Sequence, residues 1–410
     1  MERLLTKYQR RLRILIAPDS LKETMGPRSA ASAIAAGVGD VMPSAEQILA
    51  PVADGGEGTL DVLAAAIPDL EVLESEVVGP RPDRPSIRAR WGLGRDRRIA
   101  VVELAEACGL ARLEIPERDP LATSTHGVGQ LLEIARARLR ADPDRPSELV
   151  LALGGSATVD GGIGAARALG MDIEGPTGPG DRPLVGADLE EVRVVRWNPE
   201  ILARWSGIRL RLAGDVVNPL LGPNGAAGVY GPQKGADEAA VDRLDGGLVR
   251  WLRIMEAFIE GPCGGPGTGA AGGMPVGLAP WVAASCVNSE TGGFDLSEKL
   301  ESGFEVVADV LGLRGRLETV DLLITSEGSL DRQSMMGKTV GRLVDLAEEA
   351  GVPVVAVPGT LGDLEPSSAE RFAVIRPLDD EVGPVVCRDE PAVAMRKAVG
   401  SALQAWIERA

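Results

Sequence analysis

Five glycines fall within the eleven residues Gly154-Gly-Ser-Ala-Thr-Val-Asp-Gly-Gly-Ile-Gly164, directly after the apolar run Leu149–Leu153. A buried strand that runs into such a turn, and on into the helical pattern of Gly161–Leu169, fits few folds. The glycines let the backbone turn sharply, and their N–H groups can converge on an oxyanion where the helix begins. Gly154, Gly155, Ser156 and Thr158 are therefore candidate ligand contacts, with Asp160 beside them in the same turn. The turn is not the elbow of a serine hydrolase, because Thr158 stands where G-x-S-x-G needs its second glycine. The other reading is a tight loop closed by glycine.

Three more stretches share this strand–loop logic. Pro51-Val-Ala-Asp-Gly-Gly-Glu-Gly-Thr59 follows the strand pattern Gln47–Ala53 and opens a helix over about 60–67. Ligands of open α/β sheets bind at the carboxyl ends of strands. Asp54 and Glu57 are thus candidates to hold Mg²⁺ or a substrate hydroxyl, and Gly55 and Gly56 are candidate contacts; the alternative is an Asp-capped turn. Gly214–Gly235 follows the strand Arg209–Ala213 and carries Asp215, Asn218 and Lys234 in a loop rich in Pro, Asn and Gly. Thr325–Thr339 follows the strand Val320–Thr325 and carries Glu327, Asp331 and Lys338. Gly337-Lys-Thr339 is not a Walker A loop, since Arg332 occupies the position of its first glycine. Gly267-Thr-Gly-Ala-Ala-Gly272 matches G-x-G-x-x-G but follows a helical pattern rather than a strand, so it lacks the dinucleotide context.

Composition removes several function classes. The net charge of −17 repels phosphodiester backbones and argues against nucleic acid as a partner. One histidine and four cysteines without C-x-x-C spacing leave no support for a His-based zinc site or a disulfide framework. Aromatics are 3% of the chain, so the core must be aliphatic, as in α/β folds. No apolar run reaches the ~18 residues of a spanning helix, and Met1–Arg13 has no apolar segment of a signal peptide. A cytoplasmic protein without a membrane partner is expected.

The strand and helix patterns divide the chain. Arg13–Ala17, a helix over Ser29–Val38 and the strand at 47–53 give βαβα order. The pattern changes from about Glu74: Val72–Val78, Ser86–Trp91 and Ile99–Leu104 are successive strands of a mixed sheet, which starts a second domain near residue 76, followed by helices at Thr123–Ala141 and Asp237–Ile259. After the glycine-rich Glu260–Gly273, α/β order returns: helices at Leu296–Leu311, Lys338–Ala350 and Pro391–Arg409, and strands at Val352–Val357 and Phe372–Ile375. The expected fold is a Rossmann/flavodoxin-like parallel-sheet domain, residues 1–75 and 290–410, interrupted by an inserted α/β domain with a mixed sheet, residues 76–289.

Ala17-Pro-Asp-Ser-Leu-Lys22, Pro51–Thr59, Gly154–Gly164, Gly214–Gly235, Gly267–Gly273 and Thr325–Lys338 together resemble the glycerate kinase family of the bacterial glycerate 2-kinase type, in the family's order. The resemblance implies an active site in the cleft between the domains. It also implies transfer of the ATP γ-phosphate to D-glycerate, giving 2-phosphoglycerate, with Mg²⁺. On that reading Asp54, Asp160, Asp215, Asp331 and Lys22 are catalytic. Ser20, Asn218, Lys234, Glu327 and Lys338 join the glycines in binding substrate or nucleotide, and Asp215 and Glu327 hold the metal. The family's aromatic at 126, Asn at 159, Gly at 326 and Glu at 130 are here His126, Val159, Ser326 and Gln130, and Leu21-Lys-Glu23 replaces a Phe-Lys-Gly-like run. Loss of the amide at 159 removes a neutral hydrogen-bonding group beside Asp160, and His126 is expected to alter the pocket. Another small hydroxy-acid or polyol as acceptor, or a silent ligand-binding paralogue, stays open, as does a homodimer.

Overall fold

The computed structural model describes residues 11–21, 24–67, 69–142, 144–176, 182–285 and 294–409. In chain order its strands are β1 (Arg13–Ile16), β2 (Glu46–Leu49), β3 (Leu70–Val77), β4 (Ile87–Gly94), β5 (Ile99–Glu103), β6 (Ser147–Ala152), β7 (Asp172–Glu174) and β8 (Val194–Arg196). They continue with β9 (Ile208–Ala213), β10 (Leu300–Glu301), β11 (Leu322–Thr325), β12 (Ser329–Leu330), β13 (Val354–Ala356), β14 (Thr360–Leu361) and β15 (Val374–Ile375). The chain forms two compact units: Met1–Asp54, Asp61–Pro68 and Phe304–Ala410 in the first, Gly55–Leu60 and Asp69–Gly303 in the second.

The first unit holds a five-stranded sheet in the order β15-β13-β11-β1-β2. Its pairings are all parallel. Renumbered within the unit, the order is 2-1-3-4-5, that of the flavodoxin-like folds. Such a sheet is covered on both faces, which is why β11 reads Leu-Leu-Ile-Thr and is buried throughout. One covering helix, Pro27–Val41, starts with proline at its first turn and buries Ala30, Ile34, Gly37 and Val38. Gly37 faces helix Pro391–Arg409 so closely that a Cβ there would sit 2.7 Å from Arg396 O and 2.9 Å from Val399 Cβ. The expected bounds of that closing helix are the observed ones.

The second unit holds a six-stranded mixed sheet, β10-β9-β6-β5-β4-β3. β3, β4 and β5 pair antiparallel, and β5, β6, β9 and β10 parallel. The largest fully buried side chains include Trp91, Trp251 and Trp281 of this unit, so a few tryptophans fill a core that is otherwise aliphatic.

Two elements differ from the sequence expectation. The helix expected over Leu296–Leu311 is instead a 3₁₀ turn at Leu296–Lys299, strand β10, and a helix at Gly303–Val310. Tertiary bonds override helix propensity here. The nearly buried Arg211 draws Glu301 onto the sheet at 2.5 Å, and Gly214 N donates to Glu301 O at 3.0 Å. Met274–Ser285 forms a helix that its pattern hides. It is buried from Met274 to Val282, so apolar residues surround it and no amphipathic period exists, and Pro280 lies inside it.

Candidate functional site

In the first unit the strand order reverses between β1 and β11, and the loops leaving those strands stay together. Ala17 N donates to Ile324 O at 2.9 Å, Asp19 N to Ser326 O at 2.8 Å, and Thr325 Oγ1 to Ala17 O at 2.8 Å. On the other side of β1 the chain beyond β2 keeps pace, with Ala50 N on Ile16 O at 2.8 Å and Val52 N on Pro18 O at 3.0 Å. Asp19, Ser20, the exposed Asp54 and Glu327 are thereby delivered to the carboxyl edge of the sheet, where open α/β sheets bind ligands. Lys22 lies outside the described residues.

Two groups at this edge are polar and unsatisfied. Ser326 Oγ and Glu327 Oε1 are buried without a hydrogen-bond partner, although such atoms are nearly always paired. Burial pushes the Glu327 carboxyl up to about 7, with Asp19 and Asp331 adding to the rise and Ser334 and Lys338 opposing it. Asp331 Oδ1 accepts from Gln333 N at 2.8 Å and Ser334 N at 3.2 Å, fixing the turn. That turn ends at Lys338, the residue capping helix Thr339–Glu349, whose Nζ donates to Gln333 Oε1 at 3.1 Å.

Glu327 yields a stability prediction. A carboxyl at about 7 folded and 4.5 unfolded binds more protons in the folded state between those values. Unliganded stability therefore falls as pH rises through that window and stays low above it. Glu327→Gln removes the penalty. At pH 8 it is expected to stabilise the ligand-free protein by about 2 kcal/mol in urea unfolding, with little effect at pH 4.5.

Among the described residues, no group of three or more His, Cys, Asp or Glu is placed to hold a metal. Mg²⁺ is commonly bound by one or two carboxylates, with water and substrate phosphates completing its shell. Glu327, with an orphaned oxygen and raised proton affinity, fits one such position.

In the second unit three strand ends meet through glycine backbone. A Cβ on Gly55, at φ +79°, would lie 2.6 Å from Gly303 Cα and 3.2 Å from Ala213 O. A Cβ on Gly154 would lie 2.4 Å from Gly56 Cα. The Gly55–Gly56 turn, the turn after β6, the last residue of β9 and the chain just after β10 thus come closer than any side chain allows. Glu57 is exposed here, and its Oε2 would be 3.9 Å from a Cβ on Gly155.

The Gly154–Gly164 turn is tied from several sides. Trp251 Nε1 donates to Gly161 O at 2.9 Å, and Gly161 N to Gly272 O at 2.9 Å. A Cβ on Gly272 would meet Thr158 O at 2.0 Å. The G-x-G-x-x-G look-alike is therefore packing that seals the back of this turn. Asp160 has no exposed surface. Its Oδ2 accepts from Thr125 N and Thr125 Oγ1, both at 2.8 Å, and from Gly164 N at 3.4 Å, while Oδ1 accepts from Gly162 N at 3.1 Å. Burial raises its carboxyl, and these donors oppose the rise. Thr125 was not singled out in sequence; the Thr-Ser-Thr run before Gly127 is the signal that marks it.

Asp215 is exposed, and its Oδ1 accepts from Ser302 Oγ at 2.7 Å and Gly303 N at 3.1 Å. Asn218 is committed to its own loop, donating to Asn224 O at 2.8 Å and accepting from Tyr230 OH at 2.6 Å. Lys234 lies beneath the glycine turn, with Nζ 2.7 Å from Ser156 Oγ. Val159, where the family's amide is lost, is fully buried within the hydrophobic core. His126 opens helix His126–Arg138, and its Nδ1 is buried without a partner. Gln130 Oε1 accepts from Val78 N at 2.8 Å, a bond that joins the helix to the residue just after β3.

Carboxylates, hydroxyls and glycine turns gathered at the carboxyl ends of parallel strands define an α/β enzyme of the kind that handles phosphate. The sequence profile of the Glycerate kinase family matches residues 14–386. The chain is 38% identical over 354 residues to a glycerate kinase of Halalkalibacterium halodurans, covering 85% of this chain and 86% of that protein. It is 34% identical to the glycerate 2-kinase of Escherichia coli strain K12, covering 86% of each. A solved structure from Salmonella typhimurium LT2, provisionally designated glycerate kinase 2, superposes with a TM-score of 0.81 at 30% identity over 98% of both chains. The chain belongs to the glycerate kinase family, and it is an ATP-dependent kinase. Among the described residues no helix is long and apolar enough to cross a membrane.

Proposed function

We propose that this chain transfers the γ-phosphate of ATP to D-glycerate, giving 2-phosphoglycerate and ADP. The observation that carries this reading is the match to relatives named glycerate kinase and glycerate 2-kinase over about 85% of the chain, together with the family profile over residues 14–386, which include every strand-end turn described above. A secondary hydroxyl is a poor nucleophile, so the reaction rests on alignment, charge neutralisation and a carboxylate to take the proton. Asp54, Asp215 and Asp331 are the proposed carboxylates for that work. Ser20, the paired glycines Gly55–Gly56 and Gly154–Gly155, Glu57, Ser156 and Thr158 line the ligands through their strand-end positions, and Asn218 holds its loop in shape. Lys22 and Lys338 neutralise substrate carboxylate or phosphate. Glu327 and, in the second unit, Asp215 are the proposed Mg²⁺ carboxylates; when bound, the ion would offset phosphate charge. Asp160 is proposed as a positioning residue, because its oxygens are spent on the turn and on Thr125.

The test is ADP release with MgATP and a panel of D-glycerate, L-glycerate, tartronate, hydroxypyruvate and glycerol. The highest kcat/KM is expected with D-glycerate. A higher value with another acceptor would reassign the substrate, and no turnover on any of them would place the chain among silent paralogues.

A further inference from the structure

Lys234 ends the short 3₁₀ turn Pro232–Lys234 and is 3% exposed. Its ammonium donates to Ser156 Oγ at 2.7 Å and to Thr158 O at 2.8 Å. It also lies 5.9 Å from the ring centroid of Tyr230, whose hydroxyl holds Asn218. One buried cation therefore joins the loop after β9 to the turn after β6.

An ammonium has three donors and no acceptor, whereas a hydroxyl can accept and donate at once. Ser156 accepts from Lys234, so its own proton must go elsewhere, and no described residue takes it. The backbone on either side of Ser156 is also held. Leu110 N donates to Gly155 O and Ala157 N to Cys108 O, each at 2.8 Å, on either side of the bridge between Gly109 and Ser156. A hydroxyl that accepts a charge-assisted bond is polarised and donates more strongly.

We propose that Lys234 is a positioning residue that touches no ligand itself: it holds and polarises Ser156, whose O–H donates to an oxyanion of the bound ligand, either a phosphate of ATP or the carboxylate of the acceptor. The choice of ligands rests on the function proposed above.

The groups facing this ammonium are Cys108, Asp160 and Tyr230, and Arg118 donates to the neighbouring Gln233 O at 3.4 Å. Burial pulls Lys234 down to about 8, against the opposing influence of Cys108 and Asp160. Burial also raises the Cys108 thiol and the Tyr230 hydroxyl. The charge behind Ser156 is thus present below that pH and lost above it.

The test uses wild type, S156A, K234M and the double variant, with binding of MgATP and of D-glycerate measured separately by calorimetry at pH 7 and pH 9.5. One ligand is expected to bind S156A roughly ten- to a hundred-fold more weakly. K234M should weaken the same ligand, and the double variant should be no worse than S156A, since linked residues are not additive. Wild-type affinity for that ligand should fall between the two pH values, and S156A affinity should not. The ligand that weakens identifies the source of the oxyanion. Unchanged binding of both ligands by S156A, or multiplied effects in the double variant, would overturn the proposal. If K234M does not fold, equal pH dependence in wild type and S156A overturns it. Ser156-dependent ATP binding in a protein that phosphorylates no hydroxy-acid would sink the proposed function and leave this inference standing.

Discussion

Asp160→Ala is expected to destabilise the second unit by about 4 kcal/mol and to abolish activity. The carboxylate satisfies three backbone N–H groups and the Thr125 hydroxyl inside a site with no solvent. Alanine leaves all four without an acceptor and removes a negative charge that supports the buried Lys234. Asp160→Asn keeps the size and one oxygen, but turns an NH₂ toward an N–H donor. A smaller loss, about 2 kcal/mol, is expected. Urea unfolding followed by tryptophan fluorescence reads both, because Trp251 donates to Gly161 of the same turn. Equal stability of wild type and Asp160→Ala would contradict the structure of the turn.

Gly154→Ala is expected to lower kcat/KM by about a hundred-fold, the cost of shifting a positioned group by about 1 Å. The new Cβ would stand 2.4 Å from Gly56 Cα, and backbone cannot rotate away as a side chain can. One of the two turns must therefore move. Gly246→Ala is the control. It lies in helix Glu238–Ile259 with nothing within 4 Å of its Cβ position, and should stabilise by about 1 kcal/mol without kinetic effect. Steady-state kinetics on folded protein distinguishes the two, and wild-type kinetics for Gly154→Ala would mean that the junction has no part in the reaction.

The fold was legible where burial leaves a local pattern. Strands flanked by turns, such as β6 and β11, and amphipathic helices, such as Glu238–Ile259, announce themselves by apolar runs and spacing. The fully buried helix Met274–Ser285 has no polar face and so no period to read. Strand β10 exists because Arg211 and Gly214 hold Glu301, a long-range effect absent from its own window. At the site, glycine turns and carboxylates were legible as residue types. What each side chain faces was not. Val159 faces the core, and Lys234 faces Ser156 from below, facts set by tertiary packing.

The most direct measurement is the phosphorus NMR spectrum of the product formed from MgATP and D-glycerate. The account predicts ADP and glycerate phosphorylated on carbon 2. No phosphorylated glycerate from folded protein that binds MgATP would contradict it, and phosphate on carbon 3 would contradict the proposed position of transfer.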